Sequence, residues 1–581
     1  MNSPASYAQT MRSVLVVSLI VTIMVGCSPN GPLTTTVVPS SGGAQNSLAA
    51  CVNPVNHVLA IDKRGNYNPI PFTVGDCASV FGASELRQPT PELLASEHCG
   101  RPKYTGNDQL LTKDQISNYK ALDCHVQHII EELTHSPAGS LPKHLVIFIH
   151  GGLVTQEDAL KQAARDIPMM RRQSLMDPTL MSDGELFPLF FLWPSGFFDS
   201  YVDATLNYSQ GEYNRPLRPV ESPLYFATDV ATTVARVPLD LIKSIQRFGG
   251  TYLAPNNGLS DWGWGCGQDI DPNHFGCNNL GSNQEPNPLD NPIYLGTFPL
   301  RLISVPALDT GTIAWKNMVA RTRFGFEKYA DPNEYRHLFD ERRNLGPEDQ
   351  KMLKEQKEIL TRGAAYWFFS ALKEKLSKLY PDQCATEALR ITVIGHSMGA
   401  LVINEMMQNF PDLPYENVVF MAAANSIRDF KAMTEPVLKN PRCRDLRFYN
   451  LSLHPIAEAR DLELYGAAPV GSLLEWIDDI FETPVTPIER TMGKWENIIY
   501  AENEFDRDAT KRMYFHRFGL RSPDPIMHGQ FANPVASNCS VAHYWDPAYW
   551  SYVNTAKDGV CPRTVGKLVD IVPGTYGEPS K

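Results

Sequence analysis

Ser397 stands in the pentapeptide Gly395-His396-Ser397-Met398-Gly399, between the apolar run Ile391-Thr392-Val393-Ile394 and the segment Ala400-Leu401-Val402-Ile403-Asn404-Glu405-Met406-Met407. A serine hydroxyl is a weak nucleophile until a base takes its proton. It must also stand clear of its neighbours, and a strand, a sharp turn and a helix in succession achieve that. Glycines at both ends of the turn let strand and helix approach, and the helix aims its first N–H groups at a developing oxyanion. At roughly 7% each for Gly and Ser, a chain this long has about one chance in five of holding a bare Gly-x-Ser-x-Gly. The flanking strand-like and helix-like patterns are what lift Ser397 above coincidence.

Upstream, the β-branched run Leu145-Val146-Ile147-Phe148-Ile149 ends in His150-Gly151-Gly152, a second strand-to-loop junction. Downstream, four histidines follow Ser397: His454, His516, His528 and His543. His528 lies in Asp524-Pro525-Ile526-Met527-His528-Gly529-Gln530-Phe531, a loop with turn residues, with Tyr544-Trp545-Asp546-Pro547-Ala548-Tyr549-Trp550 beyond it. With these elements the sequence resembles the α/β-hydrolase superfamily, specifically its lipase- and esterase-like serine hydrolases. The resemblance implies Ser397 as nucleophile and a later histidine as base. His528 is the first choice for that base, with His543 and His516 as alternatives. It implies an oxyanion hole from the backbone N–H of Gly152 and of Met398, each donor contributing about 3 kcal/mol. His150 is read as a prop for that loop rather than the base.

The acid is the open position. Where similar enzymes often carry Asp after the strand 418–424, this chain has Asn425, and the nearest carboxylate is Asp429. After the run Leu446–Ser452 come Glu458 and Asp461. Glu458 is the first choice to orient the base, with Asp429 and Asp461 kept open. Trp193-Pro194-Ser195-Gly196 with Asp199-Ser200-Tyr201 reads equally well as pocket lining or as a structural turn.

Five apolar runs, 145–149, 188–194, 386–394, 418–423 and 446–452, read as strands buried on both faces. Helical segments fall at 113–135, 156–171, 348–379 and 398–409. Alternation of this kind predicts a doubly wound, mostly parallel α/β sheet. The stretch 200–345 breaks the rhythm with Pro- and Gly-rich sequence and reads as an insertion capping the site. The expected organisation is a signal peptide at 1–26, a tether at 27–50, a disulfide-braced extension at 51–112, core at 113–199, the insertion at 200–345 and core again at 346–581.

The beginning of the chain carries a targeting pattern. Arg12 precedes an apolar run, Ser13–Val25, of about 13 residues, short of the ~20 that span a bilayer. Met24-Val25-Gly26-Cys27 resembles a bacterial lipobox, with Met24 where Leu is usual, and implies lipid attachment at Cys27. Ser28 after it implies outer-membrane sorting. An ordinary signal peptide that happens to contain Cys27 is the alternative. Residues 28–50, rich in Ser, Thr, Pro and Gly, fit a tether.

Of 11 cysteines, removing Cys27 leaves an even number, which suggests disulfides in an oxidising compartment. Cys266 with Cys277, which bracket one short polar loop, and Cys539 with Cys561, close together in the tail, are the first guesses for pairing. A net charge of −12, from 52 basic and 64 acidic residues without a dense Lys/Arg run, argues against a nucleic-acid partner. No metal or cofactor is implied. The expectation is a lipid-anchored envelope hydrolase of carboxylic esters with apolar acyl groups, acting on small-molecule or lipid esters. An acyltransferase with the same residues and a non-catalytic hydrolase-like envelope protein are the competing readings.

Overall fold

A computed structural model describes residues 57–68, 113–134, 144–176, 186–196, 312–328, 357–379, 389–453, 471–482, 484–518 and 527–532, with single positions and pairs between and beyond them. Cys27, the signal and tether, His454, His543, the cysteines of both guessed pairs and most of 200–345 lie outside these residues.

The five apolar runs form strands. They are β2 (His144–Ile149), β3 (Leu186–Leu192), β6 (Arg390–His396), β7 (Tyr415–Met421) and β8 (Arg447–Leu453). Their side chains are almost all buried, as continuous Val/Ile/Leu/Phe runs require when helices cover both faces of a sheet. Three further strands complete it: β1 (Val58–Ala60), β9 (Met513–Phe518) and β10 (Val569–Asp570). The order is β1-β3-β2-β6-β7-β8-β9-β10. The first seven are parallel, and β10 pairs antiparallel with β9. A separate ribbon joins β4 (Tyr208–Ser209) to β5 (Glu212–Tyr213).

Helices flank the sheet on both faces. Ile147 and Ile149 of β2 pack with Phe368 of α4 (Ala364–Leu379) and Val402 of α5 (Gly399–Asn409). Phe148 between them points the other way and meets the ring of Tyr544 at 4.4 Å. The Tyr544 hydroxyl donates to Asp166 of α2 (Gln156–Met176) at 2.8 Å. Helix α1 (Lys113–Thr134) packs on α4. Among the described residues no helix is long and apolar enough to cross a membrane.

Three expectations need correction. The stretch 51–112 is not all irregular extension, because β1 pairs with β3 and Ile61 and Tyr67 join the core. A three-residue strand is too short to show a period. Residues 312–328, assigned to the cap, hold α3 (Thr312–Thr322) and a following turn whose Trp315, Met318, Phe324 and Phe326 are core residues. Within the described part of the helix expected over 348–379, the helix is broken at Arg362 and Gly363 and resumes over Ala364–Leu379. Cys124 and Cys443 are each disulfide-bonded, in keeping with the even cysteine count.

The strand order reverses between β2 and β6: from β2 the chain steps out to β3, beside the earlier β1, and then crosses to β6 and runs on through β7 to β9 on the other side. In open α/β sheets, the crevice at the carboxyl ends of the strands at such a point is where ligands bind. Behind β7 and β8, Phe420, Phe430 and Phe448 interlock, with centroids 5.0 Å apart for Phe420–Phe448 and 4.7 Å for Phe430–Phe448. Phe420→Ala should lower stability to urea by about 3–5 kcal/mol, the usual cost of emptying an aromatic site in a closed core. A loss below about 1 kcal/mol would show that this cluster does not carry the sheet.

Candidate active site

Ser397 follows β6 directly and precedes α5. Its φ is +52°, a left-handed backbone that a non-glycine residue adopts only when its surroundings enforce it. The enforcement is visible. The Ser397 N–H donates to the Met421 carbonyl at 2.8 Å, and the Ser397 carbonyl accepts from Ala424 at 3.0 Å and Ala400 at 3.2 Å. The end of β7 therefore grips the turn on one side and the first turn of α5 grips it on the other. The side chain is 0% exposed, and its Oγ has no hydrogen-bond partner among the described residues.

The loop after β2 presses against this turn. A Cβ on Gly399 would lie 2.3 Å from the Ile149 carbonyl oxygen, so only glycine permits the approach. A Cβ on Gly152 would lie 2.5 Å from Met398 Sδ and 3.0 Å from Met318 Cε of α3, and one on Gly151 would lie 3.0 Å from Ser397 Cβ. Gly152 and Met398 are thus neighbours. No hydrogen bond among the described residues engages the backbone N–H of either.

His150 braces the loop, as its sequence context suggests. Its Nδ1–H donates to the Gly151 carbonyl at 2.9 Å, because its Nε2 accepts the Trp193 backbone N–H at 3.2 Å. The Trp193 indole N–H returns a bond to the His150 carbonyl at 3.1 Å, and the rings stack at 5.7 Å. Burial pushes His150 down to about 4, so it is neutral. Ser195 donates to the carbonyls of Gly151 at 3.1 Å and Val154 at 2.8 Å. Ser200 receives a bond from the buried Arg321 of α3 at 2.9 Å. Trp193 and Ser195 therefore brace the Gly151–Gly152 loop.

His528 is buried, 4% exposed, at the start of a short 3-10 turn, His528–Phe531. Its backbone N–H donates to Asp461 Oδ2 at 2.7 Å. Its carbonyl accepts from His396 Nε2, in the elbow itself, at 3.0 Å. Neither ring nitrogen has a hydrogen-bond partner among the described residues. Burial, and then the neighbouring His396 ring at 5.1 Å, hold His528 well below the usual histidine range, so it is a neutral base. Ser397 and His528, read from the sequence as nucleophile and base, are not hydrogen-bonded to each other. The structure brings the two to adjoining segments through His396 and leaves both reactive atoms unengaged. His516 lies on β9, paired with Leu451 of β8.

Glu458 does not meet His528. It is buried, one oxygen accepts from the Ser472 hydroxyl, and the other has no partner among the described residues. Burial raises its carboxyl well above the usual carboxylate range, an effect the Ser472 bond opposes and Glu475 and Asp461 reinforce. Glu458 is thus a neutral acid, and the carboxylate bonded to residue 528 is Asp461. Asp429 sits elsewhere, in the first turn of α6 (Ile427–Met433), its backbone N–H capped by Ser426 Oγ at 3.0 Å. Asn425 is fully buried and donates to the Ser426 carbonyl at 3.0 Å.

Beyond Glu458 lies a polar layer that sequence reasoning missed. Lys494, 4% exposed, contacts Glu475 at 2.9 Å, Glu496 at 2.9 Å and Asp478 at 3.7 Å. Asp478 also accepts from the Thr491 N–H at 2.9 Å and Asn497 at 2.7 Å. A lone Lys inside Met492-Gly493-Lys494-Trp495 was the available signal, but a single charge in an apolar stretch names no partner. Among the described residues no group of three or more His, Cys, Asp or Glu is placed to hold a metal ion.

Comparison with protein-family models, curated proteins and solved structures gives no match to this chain. The fold is of the α/β type, with a mostly parallel sheet, seven of whose eight strands are parallel, and flanking helices.

Two measurements test this electrostatic description. Lys494→Met leaves its carboxylates without their cation and should cost about 3–5 kcal/mol of stability in denaturant titration. A cost near zero would mean the layer is solvated. Glu458 keeps its proton when folded and loses it above its ordinary value of 4.5 when unfolded. Its contribution is complete at acid pH and is lost as pH rises toward the folded value. Glu458→Gln should therefore gain stability relative to wild type as pH rises above about 4.5. A difference independent of pH would contradict the neutral assignment.

Proposed function

We propose that this chain is a serine hydrolase of the α/β-hydrolase type that cleaves carboxylic esters through an acyl-enzyme on Ser397. The observation that carries the reading is the strained turn of Ser397, with φ of +52°, between a buried strand and a helix and against the Gly151–Gly152 loop. Strain of this kind persists where the surroundings over-determine it, and functional sites are where it collects.

The chemistry runs through the chain's own groups. Ser397 Oγ attacks the acyl carbon while His528 takes its proton. The oxyanion is held by the backbone N–H of Gly152 and Met398, both free of other bonds among the described residues. His528 then protonates the leaving alcohol, and water, deprotonated by the same ring, releases the acid and regenerates the serine. Asp461, bonded to the main chain of His528, is our choice for the carboxylate that positions the base, in place of Glu458. The lipobox-like segment at Cys27 supports attachment to a bacterial envelope, and an apolar or lipid ester suits that setting.

A fluorophosphonate probe, whose phosphorus is attacked by an activated serine with loss of fluoride, should label the folded protein, and Ser397→Ala should abolish labelling. Folded wild-type protein that stays unlabelled would sink the enzyme reading. In a series of p-nitrophenyl esters the rate should rise with acyl length; a maximum at acetate would exclude apolar acyl preference. Asp461→Asn should slow turnover by about 10³-fold or more, on the scale of losing the carboxylate of a triad. Glu458→Gln should stay within about tenfold of wild type.

A further inference from the structure

His528 is an unusual buried histidine: both of its backbone groups are bonded and neither ring nitrogen is. A buried ring left unpaired costs about 1–3 kcal/mol for each polar atom. The fold therefore fixes this residue through its main chain while leaving both ring nitrogens for other partners. Asp461 takes the N–H, and the carbonyl goes to His396, the residue immediately before Ser397.

The chemistry of that second bond is fixed. A carbonyl can only accept, so His396 Nε2 must carry the hydrogen. Nδ1 is then the lone-pair nitrogen, turned toward Gly151, where a Cβ would lie 2.8 Å from it. Burial pushes His396 down to about 4, which keeps that tautomer neutral at ordinary pH. The strained elbow thus sets the position of His396, and His396 reaches the backbone of His528 from the same turn that presents the nucleophile.

We propose that His396 is a positioning residue, which registers the base loop to the nucleophile turn through its Nε2–H bond to the His528 carbonyl. This rests on the serine-hydrolase reading above and adds to it a donor that couples two catalytic groups without touching substrate. The nucleophile turn belongs to β6 and α5, and the base lies more than a hundred residues later, on the short turn His528–Phe531. A single directed hydrogen bond between them removes the freedom that matters for proton transfer. Misplacement by about 1 Å can cost about 10²-fold in rate.

The test compares two replacements of His396 by the rate of fluorophosphonate inactivation and by kcat and KM on a p-nitrophenyl ester. His396→Phe fills the space without a donor, and His396→Gln keeps an N–H that can reach the carbonyl. His396→Phe should slow inactivation and lower kcat by about 10- to 100-fold with KM within about threefold. His396→Gln should recover most of the loss. Where the Phe variant does not fold, His396→Met, whose flexible side chain suits packed sites, repeats the comparison. Equal rates for wild type and the donorless variant would overturn the proposal. So would folded Phe, Met and Gln variants that are equally slow, since packing would then be what matters. Wild type that is not labelled at all would instead bring down the enzyme reading itself, and a labelled wild type with an unlabelled Ser397→Ala keeps the two failures apart.

Discussion

The carbonyl of Ile149 and the first residue of α5 approach so closely that a side-chain carbon at Gly399 would sit 2.3 Å from the oxygen. Much of the site depends on that contact. It allows α5 to begin directly at the end of β2, which brings Gly151 and Gly152 against Ser397 and Met398. The helix N-terminus and the glycine loop are thereby neighbours, as the proposed oxyanion hole of Gly152 and Met398 needs. Around this contact the remaining bonds act as braces. His150 and Trp193 exchange hydrogen bonds behind the loop, and the ends of β6 and β7 hold Ser397 in its left-handed conformation.

The fold was legible where burial on two faces leaves a continuous apolar run. Leu145–Ile149 and Val418–Met421 could be little else than interior strands. It was less legible where a strand is short or exposes its pattern only in context. Val58–Ala60 is too short to have a period, and Met513–Phe518 interleaves Tyr514, His516 and Arg517 among its apolar residues. The core role of Trp315 and Phe326 was hidden by their position within a Pro- and Gly-rich stretch.

The site shows the same division between local and long-range information. The Ser397 turn and the proposed oxyanion loop are local, and Ser397, Gly152 and Met398 can be found from a few neighbours each. The acid is not local. Glu458 and Asp461 stand three positions apart in one segment, and nothing in their types says which is solvated by a hydroxyl and which by a main-chain N–H. The difference is made by Ser472 and by His528, distant in sequence from both. Lys494 draws Glu475, Asp478 and Glu496 together in the same way.

The state of His528 sets the terms on which the proposed chemistry can start. Its ring is buried, neutral and unbonded, and His396 beside it further disfavours a positive charge. A proton accepted from Ser397 in this resting arrangement would find no partner among the described residues. Imidazolium formation therefore has to coincide with the arrival of groups that stabilise it: a negatively charged tetrahedral centre at Ser397 and a carboxylate at the other nitrogen. Asp461, tied to the main chain of His528, is the proposed source of that carboxylate. The base is thus weakly committed before substrate binds and strongly favoured once charge develops. That is the differential stabilisation between ground and transition state that catalysis needs.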